Sequence, residues 1–154
     1  MAWTLTASVL YRRGNYIKFK IACTSDGNAL AATDLLALDP GGTGSIEETK
    51  AKTGKTMREV LEGVTLMALK ADPGAGATAP DAAFDFSIAD DEGDAIYTGT
   101  DASNSAISWH DLSTDIGFYH PILKKLYIAF PTAADWTAAD TVDLYFIGWL
   151  EKGF

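Results

Sequence analysis

A two-residue hydrophobic period recurs from one end of this chain to the other, and it constrains the fold more than any other feature. Trp3, Leu5, Ala7, Val9 and Tyr11 alternate with Thr4, Thr6 and Ser8. Ile17, Phe19, Ile21 and Cys23 then alternate with Lys18 and Lys20. Successive side chains of a strand point to opposite faces, so this pattern belongs to half-buried strands and not to helices. Between the two runs, Arg13-Gly14-Asn15 supplies residues that tolerate the positive φ of a tight turn. Residues 2–23 therefore read as an antiparallel hairpin, with Trp3 through Tyr11 on one face.

The same period returns after a less regular stretch. Leu30, Leu35, Leu36 and Leu38 fit either a short helix or an irregular strand. Asp39-Pro40-Gly41-Gly42-Thr43-Gly44 reads as a loop, and residues 40–56 as a long loop or a segment ordered by a partner. Met57, Val60, Leu61 and Val64 have helical spacing, with Thr56 as its cap and Gly63 as its end. Val64–Ala71 reads as a strand, followed by a Pro- and Gly-containing loop to Pro80. Phe84, Phe86 and Ile88 lead through Asp90-Asp91-Glu92-Gly93 into Ala95-Ile96-Tyr97, a second hairpin. Leu126, Ile128 and Phe130 predict a further strand, and Pro131–Asp140 a turn. Val142, Leu144, Phe146 and Gly148 face one side of the last strand, and Tyr145, Ile147 and Trp149 the other. Apolar groups on both faces predict a central strand, or one whose outer face meets another subunit. The fold class is all-β, an antiparallel sandwich with at most one or two short helices, in a single domain over 1–154.

Charge is placed unevenly. Residues 1–80 carry 9 basic and 8 acidic groups, and residues 81–154 carry 3 and 13, within a total of −9. An acidic half repels phosphates, which argues against nucleic acid as a partner. No run approaches the ~18 apolar residues of a membrane-spanning helix, so no membrane partner is expected either. The start shows no basic region followed by an apolar stretch, and the expectation is a soluble protein made in the cytoplasm. The one cysteine, Cys23, forms no internal disulfide and falls in phase with Ile17, Phe19 and Ile21, as a buried small hydrophobe does.

Candidate chemical motifs reduce to structural readings. Gly54-Lys55-Thr56 resembles the end of a phosphate loop, but Thr49 stands where its first glycine belongs. Asp90, Asp91, Glu92 and Asp94 suggest calcium, yet Ala95 and Asp101 occupy the sixth and twelfth positions of such a loop. A hairpin turn rich in carboxylates is the preferred reading. His110 and His120 are too few to build a common zinc site with one distant thiol. Trp109-His110-Asp111 hints at a His–Asp pair, but no nucleophile elbow accompanies it, and His110 reads as a loop residue. Trp3, Trp109, Trp136 and Trp149 fit a sugar-stacking surface or core and interface aromatics equally well. No catalytic residue, metal or cofactor is expected.

From Val64 onward the order of features is more specific. A strand runs into Asp72-Pro73-Gly74 and Ala79-Pro80; Phe84–Ile88 and the turn Asp90–Ile96 follow, then Gly99, Pro121-Ile122, Lys125–Phe130 and Thr141–Phe146. Over residues 60–148 this resembles small structural proteins of tailed bacteriophages and prophages. Thr100–Trp109 departs from that pattern, and residues 24–60 have no counterpart in it. The resemblance implies a jelly-roll-like sandwich and a non-enzymatic virion protein, foremost a capsid decoration or head-surface protein. Neck, tail or fibre attachment and a carbohydrate-binding module are the alternatives. It further implies localisation on the virion and partners that are copies of itself, in a trimer or ring, and the major capsid protein or other virion proteins. Candidate interface residues are Arg12, Arg13, Lys18 and Lys20 on the first hairpin, and Tyr145, Ile147 and Trp149 on the last strand.

Overall fold

The computed structural model describes residues 3–35, 61–74, 78–80, 82–103, 108–122 and 125–150. The strands are β1 (Thr4–Arg13), β2 (Tyr16–Asp26), β3 (Leu30–Asp34), β4 (Val64–Pro73) and β5 (Phe84–Ala89). They continue with β6 (Ala95–Ala102), β7 (His110–Asp111), β8 (His120–Pro121), β9 (Tyr127–Phe130) and β10 (Ala138–Leu150). The expected loop and partner-ordered segment at 40–56, the Gly54-Lys55-Thr56 motif and Met57 and Val60 of the expected helix lie outside the described residues.

Two antiparallel sheets form, ordered β1-β2-β10-β4-β7, with β8 also on β4, and β3-β9-β5-β6. β7 pairs with Ala68 and Leu69 of β4, and β8 with Thr65 and Leu66, so together they make one interrupted edge strand. A helical turn, Ser113–Ile116, closed by Gly117 in the left-handed region (φ 82°), fills the interruption. With β7 and β8 taken as one, β2 to β10 give eight strands in two four-stranded rows, β2-β10-β4-β7/β8 and β3-β9-β5-β6. The chain crosses between sheets at every step except the β5–β6 hairpin, which is the double Greek key of a jelly roll. β1 is an addition on the outer edge of β2.

The period-two pattern does this work strand by strand. Along β2, Ile17, Phe19, Ile21, Cys23 and Ser25 are buried and the residues between them are partly exposed. From β10, Val142, Leu144, Phe146 and Leu150 enter the same core, where Phe146 stacks on Phe19 at 5.0 Å. The second sheet contributes Leu30, Phe84, Phe86, Ile88, Ile128 and Phe130. At one end Trp3 lies flat on Phe130, with centroids 4.6 Å apart, and meets Trp136 edge-on at 4.9 Å. Its indole nitrogen donates to the Asn28 carbonyl at 2.8 Å, so the ring is buried without an orphaned donor. Cys23 is buried, and burial with the nearby Asp143 charge pushes its thiol well above the usual range. That suits an inert packing residue.

Several expectations change in detail. Leu30 begins a strand that ends at Asp34, while Leu36 and Leu38 of that segment lie outside the described residues. β4 runs two residues beyond Ala71, and β10 starts at Ala138, inside the expected turn. Tyr11 does not continue the inner face of β1. Leu10 is an extra residue between the pairs Val9–Phe19 and Tyr11–Lys18, a bulge that moves Tyr11 to the outer face, where it is 49% exposed. Nothing in a strictly alternating sequence marks such a bulge.

Gly148 sits on β10 opposite Ile17 and Leu66. A Cβ there would collide with the Val64 side chain and meet the Thr65 carbonyl at 3.1 Å. Gly148→Ala is therefore expected to destabilise the fold by about 1–3 kcal/mol through overpacking, read as a lower urea midpoint at unchanged slope.

Candidate interaction surface

The outer face of the larger sheet is set by register. Residues directly opposite one another share a face, so each rung can be read across the strands. One rung is Ser8, Lys20, Tyr145 and Lys70 on β1, β2, β10 and β4. The next is Tyr11, Lys18, Ile147 and Ala68, and the one after is Arg13, Tyr16, Trp149 and Thr65. Of the sequence-derived interface residues, Arg13, Lys18, Lys20, Tyr145, Ile147 and Trp149 are thus brought together on one face. Arg12 is not, because the Leu10 bulge sets it opposite buried Ile17, on the other side of the hairpin.

Two residues that sequence reasoning left out complete this surface. Lys70 extends over the Tyr145 ring at 5.2 Å and lies 6.0 Å from the ring of Trp109, which Lys18 approaches at 5.5 Å. Such cation–π contacts are worth about 0.5–1 kcal/mol at exposed sites, and here they hold the long cations along the sheet. Trp149 and Trp109 are 44% and 39% exposed, whereas Trp3 and Trp136 are buried at 2% and 4%. The tryptophans therefore divide evenly between core and surface, a division their sequence context does not reveal.

The far end of the face is acidic. Asp143 on β10 lies directly opposite Asp72 on β4, with Lys20 at 3.8 Å as its counter-charge. Burial raises the Asp143 carboxyl above its ordinary value, against the pull of Lys20, and Asp72 adds to the rise. Burial likewise raises the Tyr145 phenol, helped by Asp143 and Asp72.

Beside this face, at the margin between the sheets, a cleft of about 330 Å³ is lined by Leu69, Phe86, Tyr97, Ser108, Trp109 and His110 among others. His110 belongs to the short edge strand β7, not to a loop as expected. Its Nε2 meets Asp115 Oδ2 at 2.6 Å, so the carboxylate partner is not the adjacent Asp111. Thr114 Oγ1 is 3.4 Å from the same nitrogen but donates at 2.8 Å to the Asp111 carbonyl. The Tyr97 ring packs on His110 at 4.9 Å, and burial with the Asp115 charge raises its phenol. Asp111 accepts from the Ser113 amide and hydroxyl at 3.0 and 2.8 Å, contacts that lower its carboxyl.

The acidic turn between β5 and β6 is a self-built loop. Asp90 Oδ1 accepts the Glu92 and Asp94 amides at 3.0 and 2.8 Å, and Gly93 adopts φ 88°. Its Oδ2 lies 3.2 Å from His120 Nε2, whose other ring nitrogen faces the Pro121 carbonyl at 2.8 Å. Both ring nitrogens thus face acceptors. Asp90 spends its oxygens on backbone donors and the His120 ring, while Glu92 and Asp94 remain exposed. Among the described residues, no group of three or more His, Cys, Asp or Glu converges as a metal site would require.

Comparisons of the chain with protein-family models, curated proteins and solved structures return no match.

The Asp143 carboxyl, raised chiefly by burial and further by Asp72, gives a signed pH dependence. A carboxyl raised in the folded state costs stability once pH passes its unfolded value, and the cost is full above the folded one. Asp143→Asn is expected to stabilise the protein at pH 7 by about 0.5 kcal/mol, the scale of a relieved like-charge cross-strand pair. The gain should vanish near pH 3, as thermal melts at both pH values will show.

Proposed function

We propose that the chain is a non-enzymatic structural protein of a tailed-bacteriophage or prophage virion, acting as a capsid decoration or head-surface protein. The observation that carries the reading is the outer face of β2, β10 and β4. It lays exposed Trp149 and half-buried Tyr145 and Ile147 among Lys18, Lys20 and Lys70, on a sheet whose other side is the core. A rigid sheet carrying aromatic and cationic side chains suits a protein whose task is contact. The order of features over residues 60–148 supplies the virion context. The jelly-roll topology is an architecture used by capsid and lectin domains alike, and architecture alone does not fix function.

The protein is then made in the host cytoplasm and carried on the particle. The test is quantitative mass spectrometry and electron cryomicroscopy of particles purified from the bacterium that carries the gene. The expected result is the chain at a copy number set by capsid symmetry, with density on the head. Density at the neck, tail or fibre would move its place within the virion, and absence from purified particles would overturn the reading.

A second reading, carbohydrate binding, is favoured by one observation: the cleft that joins the rings of Tyr97 and Trp109. A glycan array separates the two. The virion-contact reading expects no selective glycan, whereas binding lost in Trp109→Ala at unchanged melting temperature would support a lectin.

A further inference from the structure

The fold sorts charge as well as hydrophobicity. Among the described lysines and arginines, Arg13, Lys18, Lys20 and Lys70 share the outer face of the larger sheet; Arg12 and Lys125 lie elsewhere. Asp85, Asp90, Asp91, Glu92, Asp94 and Asp101 belong to β5, β6 and their turn, in the opposite sheet. Within a chain of net charge −9, one face therefore carries clustered cations and exposed aromatics, and the other sheet ends in an exposed acidic turn.

We propose that this face takes the acidic β5–β6 turn of a second copy of the chain, in a heterologous, head-to-tail contact. The inference rests on the contact role proposed above and names its partner. Charge selects the arrangement. A two-fold contact centred on the cations would set Lys18, Lys20 and Lys70 against their own copies, and one through the turns would set carboxylates against carboxylates; both repel. Face against turn is the pairing that is attractive, and it leaves each copy with one donor and one acceptor surface, as a closed ring or trimer requires. The geometry of each surface fits its part. Lys18 and Lys70 are held against the rings of Trp109 and Tyr145, so less side-chain freedom is lost when a carboxylate arrives. The turn is braced internally by Asp90, which frees Asp91, Glu92 and Asp94 to meet a partner. Trp149 and Tyr11 at the rim add apolar area.

Charge reversal tests it on the full chain. One variant carries Lys18→Glu with Lys70→Glu; the other carries Asp91→Lys, Glu92→Lys and Asp94→Lys, with Asp90 untouched because it builds the turn. Light scattering after size exclusion at low salt should show the wild type associated, at least tenfold weaker association in 0.5 M salt, and each variant monomeric alone. An equimolar mixture of the two should reassemble into alternating dimers, even-membered rings or open chains, because reversed face meets reversed turn and native face meets native turn. Alternation cannot close a trimer, so the readout is reassociation and not recovery of the wild-type size. Circular dichroism must show both variants folded; an uncharged pair, Lys18→Gln with Lys70→Gln, serves if the reversed face fails to fold, and should weaken association without rescue. A wild type that stays monomeric at low salt, a mixture that does not reassemble, or a face that binds an acidic polysaccharide instead overturns the proposal. Its failure is separable from that of the virion reading, because a chain found in particles but monomeric in solution sinks only the self-contact. A chain that assembles yet is absent from particles sinks only the virion role.

Discussion

The structure depends on β10, paired on one side with β2 and on the other with β4 over most of its length. A strand in that position has no free edge, so every alternate side chain is committed to one of two environments. Val142, Leu144, Phe146 and Leu150 fill the space between the sheets, and Tyr145, Ile147 and Trp149 make the outer face, with Asp143 buried on that side beside Lys20. A one-residue slip would bury Trp149 and expose Phe146, and the hydrophobic cost of that exchange fixes the register. Through the register it also fixes which cations stand beside which rings.

The alternation that dictates β10 was visible in the sequence, as were the first two hairpin strands and the β5–β6 hairpin. What the alternation does not carry is the point where it fails. Leu10, Met67 and Ile96 are each the extra residue of an irregular pairing, and each locally changes which face the chain presents. Leu10 turns Tyr11 outward and Arg12 away from the other candidate interface residues. A bulge costs little and leaves composition unchanged, so propensity reasoning passes over it. The edge of β4 is similar: β7 and β8 are two residues long, too short for any period, and their place follows from long-range pairing alone.

The surface was legible in part for the same reason. Lys18, Lys20, Tyr145, Ile147 and Trp149 sit on long regular strands, where parity predicts the face. Lys70 sits on a strand interrupted at Met67, and Trp109 enters from a short edge element, so neither was assignable from sequence. The divided fate of the tryptophans has a comparable origin. Trp3 and Trp136 are held by packing against Phe130, which lies more than a hundred positions from the first of them and close to the second.

The formal charge of −9 overstates what the acidic half offers to a partner. Asp90 is occupied by two amides and His120. Asp140 is buried, holding the Thr137 amide and hydroxyl and the Thr78 hydroxyl. Asp85 and Asp135 are tied to each other's neighbourhood, Asp85 accepting from Asp101 and Thr132 while Asp135 accepts the Asp85 amide. These carboxylates act as internal acceptors that fix turns, with their charge spent on backbone donors. Exposed Glu92 and Asp94, with partly exposed Asp91 between Asp90 and Glu92, are a different population. Because they sit on the turn that Asp90 braces, that one buried carboxylate determines where the exposed ones are presented. The acidic bias of the sequence is therefore two devices in series, one that builds loops and one that displays charge on them, and only the second faces outward.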